Sequence, residues 1–373
     1  MNAGLRVVVI APLRFPIRPP HSGGLESAVW SEVTGLRARG HEVTLVAVEG
    51  SDFVRPGSAY ELPRLDWPHE VPPTDVTYPL GYEATTVPAL QRALEAIAAH
   101  PHRFDIVSNH CLHPLPIRYA PRLGTPMVTT LHTPPDAAFV AARAAAGPAG
   151  SAFLSVSEFT RREWARAGLH SDLLANGVDP AAWPAGPGGD DIVWFGRIVP
   201  EKAPHLAVEV ARRLGRRLTI AGRIGDRAYA ERVLFPVLGS DVTFTGVLAP
   251  AQLAELVGRG GATLSTPAWA EPFGLVAPES LMCGTPVVSF AVGGVPEIAA
   301  RTVGMELVAP GDVAAMSDRV EHLIERTAHD RSFRQRIRAN AVRRFSLDAR
   351  LARLEDRFDD LIASERFVDG LTA

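Results

Sequence analysis

Short, almost wholly apolar runs alternate along this chain with stretches of amphipathic-helix length, and that alternation leaves few folds open. A strand that is apolar at nearly every position has to be covered on both faces, which a parallel sheet with crossover helices achieves. In the first half the expected strands are residues 7–10, 43–48, 105–108, 127–131 and 153–156. The second half repeats the pattern at 192–195, 218–221, 242–245, 262–265 and 287–290. Between the first two runs, Val29, Val33 and Leu36 fall at i, i+4 and i+7 and predict a helix that Gly40 closes. A second helix is expected over 205–214.

The chain has 373 residues, more than one ordinary core accommodates and enough for two domains. Segment 180–189, rich in Pro, Ala and Gly, reads as the link between them. A last amphipathic helix is expected from about 347 to 363. Segment 50–86 breaks the alternation: it is Pro-rich and carries Trp67, His69, Tyr78 and Tyr82. Aromatic and polar groups together suit stacking on a sugar, so it reads as an acceptor-side loop, with an ordinary surface excursion as the alternative.

Hydrophobic residues make up 46% and charged residues 21%, as in a soluble globular protein. A formal net charge of −3 gives no basic field, so nucleic acid is not an expected partner. The two cysteines, Cys111 and Cys283, cannot form a disulfide framework and suit a reducing cytoplasm. No apolar run reaches the ~18 residues of a membrane span, and the N-terminus opens into a strand without a signal-peptide pattern. The expected location is cytoplasmic. Arg14 and Arg18 beside Phe15 leave a peripheral membrane contact open, against the plainer reading of a solvated loop.

The most informative local feature is a pair of glutamates in Glu271-Pro272-Phe273-Gly274-Leu275-Val276-Ala277-Pro278-Glu279. Glu271 is expected on a loop and Glu279 about two turns along the following helix. Gly274 between them lets backbone N–H groups approach a phosphate. Two hydroxyl acceptors with a phosphate cradle between them suit a sugar nucleotide. The alternative is a buried helix entry with a solvated glutamate at each end.

This string, followed by Cys283-Gly284-Thr285-Pro286-Val287-Val288 and Gly293-Gly294-Val295-Pro296-Glu297, resembles the signature of the retaining family-4 glycosyltransferases. The resemblance extends over nearly the whole chain and is strongest from Asn176 to Asp312, where Asn176-Gly177-Val178-Asp179 and Pro310-Gly311-Asp312 also match. It implies an α/β fold of the GT-B type, two Rossmann-like doubly wound domains facing a central cleft. Residues 1–180 would form the acceptor-binding domain, completed by a helix over 347–373, and 181–346 the donor-binding domain.

The resemblance also distributes roles. Arg197 and Lys202, leaving a strand end in Phe195-Gly196-Arg197-Ile198-Val199-Pro200-Glu201-Lys202, would hold the donor diphosphate and stabilise it as it departs. A surface Arg/Lys pair is the plainer alternative. Glu279 would accept the ribose hydroxyls and Glu271 those of the transferred sugar, with backbone N–H groups around Phe273, Gly274 and Leu275 meeting the diphosphate. Gly23 and Gly24, before the first helix, would add a donor-phosphate or acceptor-side contact, although a Gly-Gly there is otherwise just a turn. His132, at a strand end, would lie near the reaction centre. Arg223 and Val247, after neighbouring strands, would border the base. Two departures from the family pattern are Ala203, where Gly is usual, and Thr133, where Asp is common.

His110, Cys111 and His113 match no closed zinc spacing, and His110 reads instead as lining the cleft. There is no Gly-x-Ser-x-Gly elbow for hydrolysis. The expected activity is transfer of a sugar, with retention, from a nucleoside-diphosphate sugar to a small-molecule acceptor, without a cofactor or a metal. UDP is the family's commonest donor nucleotide; GDP and dTDP stay open. The rival readings are a nucleotide-sugar epimerase or phosphorylase of similar architecture, or a catalytically silent sugar-nucleotide-binding subunit. Ala- and Arg-rich composition suits a high-GC bacterium.

Overall fold

The computed structural model describes residues 4–67, 74, 75, 77–147, 151–330 and 332–372, the final eight of these by backbone alone. It divides into two compact units, one comprising 1–66, 78–175 and 347–373, the other 67–77 and 176–346. Each unit is α/β with an all-parallel sheet.

The first unit holds β1 (Arg6–Ile10), β2 (Glu42–Val48), β3 (Glu61–Leu62), β4 (Ile106–Asn109), β5 (Met127–Leu131), β6 (Ser151–Ser155) and β7 (Asp172–Leu173). Its seven strands lie in the order β3-β2-β1-β4-β5-β6-β7, so the winding reverses between β1 and β4. Alternation along β1 divides two cores. Val8 and Ile10 join Val46, Leu90, Leu94, Ile97 and Trp164 on one face. Val7 and Val9 join Val29, Val33, Leu36, Leu351, Leu354 and Phe358 on the other.

The second unit holds β8 (Ile192–Phe195), β9 (Leu218–Ala221), β10 (Val242–Gly246), β11 (Ala262–Ser265), β12 (Val287–Phe290) and β13 (Met305–Val308). The order is β10-β9-β8-β11-β12-β13, with the reversal between β8 and β11.

The doubly-covered strands fall where the apolar runs put them. Those missed in sequence, β3, β7 and β13, all lie at sheet edges, where both faces need not be covered: two are of two residues and β13 carries Glu306. The first helix ends at Ala38, and Gly40 adopts the left-handed φ of 93° that ends helices.

Segment 180–189 is not a free linker. Gly186 N–H donates to the Cys283 carbonyl (3.0 Å), Gly188 N–H to the Gly258 carbonyl (2.9 Å), and Trp183 stacks on Phe195. A Cβ on Gly186 would lie 2.2 Å from the Gly258 oxygen, so glycine there permits backbone-on-backbone packing. The chain instead passes between units at 66/67, 77/78, 175/176 and 346/347. The described residues of 50–86 are not all loop: they include β3 and the start of the helix Tyr82–Ala98, with Tyr78 stacked on Tyr82 at 4.1 Å. Residues 67–77 count with the second unit rather than the first. His69 lies outside the described residues.

The tail helix runs from Leu347 to Thr372, beyond the amphipathic stretch 347–363, and belongs to the first unit. No described helix is long and apolar enough to cross a membrane. Phe358 is fully buried in the core that this helix completes. Phe358→Ala should therefore destabilise the first unit by about 3–5 kcal/mol, measured by urea unfolding against the wild-type chain.

Candidate active site

In the second unit the carboxyl ends of β8 and β11, on either side of the winding reversal, open into a pocket. It is lined by Trp194, Phe195, Lys202, Ser265, Thr266, Pro267, Glu271, Gly274 and Val276. Open α/β sheets place ligands at this position because the loops there diverge and leave a crevice.

Each wall has a local cause. After β8 the chain turns through a short 3-10 helix, Pro200–Lys202, into the helix Pro204–Arg213. Thr266 Oγ donates to the Lys202 carbonyl (2.9 Å) and accepts from Trp194 Nε1 (3.0 Å), fixing the loop that carries the lysine. Lys202 Nζ bonds both oxygens of Glu271, at 2.6 and 2.5 Å, and Trp269 Nε1 adds a third bond at 3.1 Å. The Glu271 backbone is gripped by Gly294 N–H (2.8 Å), and a Cβ on Gly293 would lie 2.1 Å from its carbonyl oxygen. Hence the glycine at 293: no side chain fits there beside this loop.

Glu279 does not sit two turns into its helix. That helix begins only at Val276, so Glu279 is in its first turn, because the intervening Pro272 and left-handed Gly274 (φ 96°) keep the approach irregular. Burial pushes the Glu279 carboxyl up to about 8, with Lys202 pulling the other way. Phe273 is buried, and Leu275 is the cap residue of the helix. Arg197 and Arg223 are brought together on one oxygen of Asp75, at 2.8 and 2.6 Å. Burial raises the Asp75 carboxyl, but the bonds from Arg223 and Arg197 outweigh it and hold it below its usual range. Val247 is exposed.

In the first unit Gly23 is the extended cap residue and Gly24 the first residue of the helix Gly24–Ala38. His110 and His132 follow directly on the adjacent strands β4 and β5, and their rings meet through Nδ1 and Nε2 at 2.8 Å. His110 does not line an open surface: it is buried against Glu32 (2.9 Å). The Cys111 thiol is buried and pushed up to about 12, so it stays protonated and inert. Among the described residues no group of three His, Cys, Asp or Glu side chains is placed to hold a metal ion.

The sequence reading missed Asp75, Trp269, Thr266, Glu32 and Arg350. Glu32 had a signal: it interrupts the apolar stripe Val29–Val33–Leu36, where a charge needs a buried partner. Asp75 had none, since its partners lie far along the chain.

Two family models match consecutive stretches, Glycosyltransferase Family 4 over residues 22–182 and Glycosyl transferases group 1 over 179–344. The chain belongs to the group 1 glycosyltransferases. Curated relatives include the D-inositol 3-phosphate glycosyltransferases of Mycobacterium tuberculosis and Mycobacterium bovis, 32% identical over 186 residues. That stretch covers 48% of this chain and only 37% of theirs. Among solved structures, AviGT4, a glycosyltransferase involved in avilamycin A biosynthesis, superposes with a TM-score of 0.67 at 20% identity, covering 96% of this chain and 98% of that one. The sucrose-phosphate synthase of Thermosynechococcus elongatus gives 0.74 at 18% (96% and 100%), and Anabaena HepE in complex with UDP 0.72 at 16% (95% and 100%). These likenesses establish the GT-B fold.

The departure from the family pattern at Ala203 has a structural counterpart: φ 44°, ψ 51° is the left-handed region, which glycine occupies without the Cβ penalty. Ala203→Gly should stabilise the protein by up to about 1 kcal/mol, seen as a higher urea midpoint. Glu279 generates a second prediction. Between its ordinary value of 4.5 and about 8 the folded chain keeps a proton that the unfolded chain releases, so stability falls as pH rises through that window. Glu279→Gln should remove that component, a slope of at most about 1.4 kcal/mol per pH unit, and melt above the wild type near neutral pH. Melting curves of both proteins across the window check it.

Proposed function

We propose that this chain transfers a sugar, with retention of anomeric configuration, from a nucleoside-diphosphate sugar to a hydroxyl of a small-molecule acceptor. The observation that carries this reading is the Lys202–Glu271 pair in the pocket at the β8/β11 reversal. A nucleotide sugar supplies a substitute for each member: its diphosphate attracts the ammonium, and its hydroxyls donate to the carboxylate. Donor binding then separates the pair without stranding either charge, which would be costly in a half-buried site. Arg197 and Arg223 offer a second cationic point, occupied in the structure by Asp75.

In the reaction, the bond from the sugar's anomeric carbon to the diphosphate oxygen breaks as the bond to the acceptor oxygen forms on the same face. The acceptor proton passes to the departing phosphate oxygen. Lys202, with Arg197, balances the growing charge on the diphosphate. Glu279 receives the ribose hydroxyls, and His132 faces the reacting sugar or acceptor. UDP is the nucleotide to test first: HepE is solved with it, and the group's resemblance favours it. The matched relatives are named for a phosphorylated cyclic polyol, which supports a small hydroxylated acceptor.

Thermal shift with UDP, GDP, dTDP and ADP tests the donor site. Saturation at a hundred dissociation constants adds about 2.7 kcal/mol, and the shift should vanish in Glu279→Ala. Lys202→Ala should lower turnover by roughly 10²–10³. A melting temperature unmoved by every nucleotide, or full turnover in Lys202→Ala, would refute the reading.

A further inference from the structure

Beneath His132 lies a buried chain of polar groups with no part in holding a nucleotide. Glu32, fully buried on the helix Gly24–Ala38, accepts at Oε1 from Ser108 Oγ (2.7 Å) and faces His110 Nε2 (2.9 Å). Its Oε2 accepts from Arg350 Nη1 (2.9 Å), on the tail helix. Ser108 also lies 3.2 Å from His110 Nε2. His110 Nδ1 meets His132 Nε2 at 2.8 Å. Among the described residues no protein group bonds His132 Nδ1.

The protons along this chain follow from what each atom can do. A carboxylate only accepts, so His110 Nε2 carries a proton toward Glu32. Glu32 and Arg350 cancel in charge, and two neutral rings leave the buried cluster uncharged, as a low-dielectric site requires. His110 Nδ1 is then a lone pair and accepts from His132 Nε2–H. The outward Nδ1 of His132 is left as a hydrogen-bond acceptor. Burial is the leading influence on His132 and holds it well below its usual range, so the ring stays neutral.

We infer that Glu32 and His110 are positioning residues that hold His132 in the Nε2–H tautomer, with Nδ1 presented to a substrate hydroxyl. Resting on the transferase reading above, this inference gives His132 the task of accepting a hydroxyl proton in a hydrogen bond, oriented through His110, with Arg350 balancing the charge that orients it. A satisfied structural histidine would need only one bond, of either polarity. This chain sets the polarity.

Tautomers can be read on isotope-labelled histidine side chains by long-range nitrogen–proton correlation, with His132→Ala assigning the signal. The wild type should show neutral Nε2–H at His132 from about pH 5 to 8. Glu32→Gln should scramble it. Because that variant leaves Arg350 without its carboxylate and can unfold, His110→Phe, which keeps the Glu32–Arg350 pair and the ring volume, provides a second test. In His110→Phe the tautomer preference should be lost. Release of UDP from UDP-glucose should fall roughly tenfold or more, the scale on which removing an orienting partner acts, with KM for the donor unchanged. An Nδ1–H tautomer in the wild type, or one indifferent to both variants, overturns the positioning. A lost preference with undiminished turnover overturns its bearing on the reaction. A wild type with no turnover and no nucleotide-induced shift instead removes the transferase reading, and with it the catalytic half of this inference, while the tautomer is still decided on donor-free samples.

Discussion

The position of β8 between β9 and β11 governs the second unit. The crossover from β8 runs to β9 and that from β11 to β12, in opposite directions, so the loops at the carboxyl ends of β8 and β11 part and cannot cover the crevice between them. Everything functional follows from which side chains those loops carry. Gly196 lies at the exit of β8 and Gly222 at that of β9, where a Cβ on Gly222 would lie 1.7 Å from the Gly196 carbonyl oxygen. Two strand ends can leave side by side only because no side chain intervenes. The Lys202 loop is then tied down by Thr266, from the other side of the reversal, and the Glu271 loop by Gly294, which follows the neighbouring β12. The pocket is a consequence of topology, held open by a few bonds between loops.

The charges in and around that pocket are paired. Lys202 is held by Glu271, and Arg197 and Arg223 converge on Asp75. This is what electrostatics demands of half-buried cations: without a partner their desolvation would weigh against the fold. Under the proposed donor reading, a diphosphate would compete with these carboxylates for the same cations. Glu279 solves the same difficulty differently. With burial the leading influence on it, its carboxyl is pushed up to about 8 and can remain neutral. A site organised this way is stable when empty and gives up little when filled.

The sheets were legible in sequence because burial on both faces forces near-uniform apolarity, which no helix or loop of this length imitates. What escaped were the edges β3, β7 and β13, where that requirement lapses. The segment 180–189 misled for a related reason: Pro, Ala and Gly signal a link when solvated, but Gly186 is small here in order to pack against Gly258, and Gly188 takes a left-handed φ of 79° beside Arg334. Of the site, the residues found were those whose neighbours in sequence share the task, such as Glu271 with Gly274. Those missed act across distance: Asp75 on Arg197 and Arg223, Arg350 on Glu32. Long-range ion pairs leave no local pattern, and only the misplaced charge of Glu32 on an apolar stripe hinted at one.

That charge also explains why the last helix contributes more than apolar area to the first unit. Leu351, Leu354 and Phe358 would cover the sheet face as well from any helix. Arg350 is specific, since a buried glutamate with two histidines beside it has no other full cation within bonding distance among the described contacts. Without the arginine, Glu32 would have to take its charge balance from a protonated His110, and the ring would then donate at Nδ1 as well. His132 would have to accept, turning its outward nitrogen into a donor. The polarity presented at the end of β5 is thus set by a residue from the far end of the chain, and core packing and site chemistry in this unit are carried by the same helix.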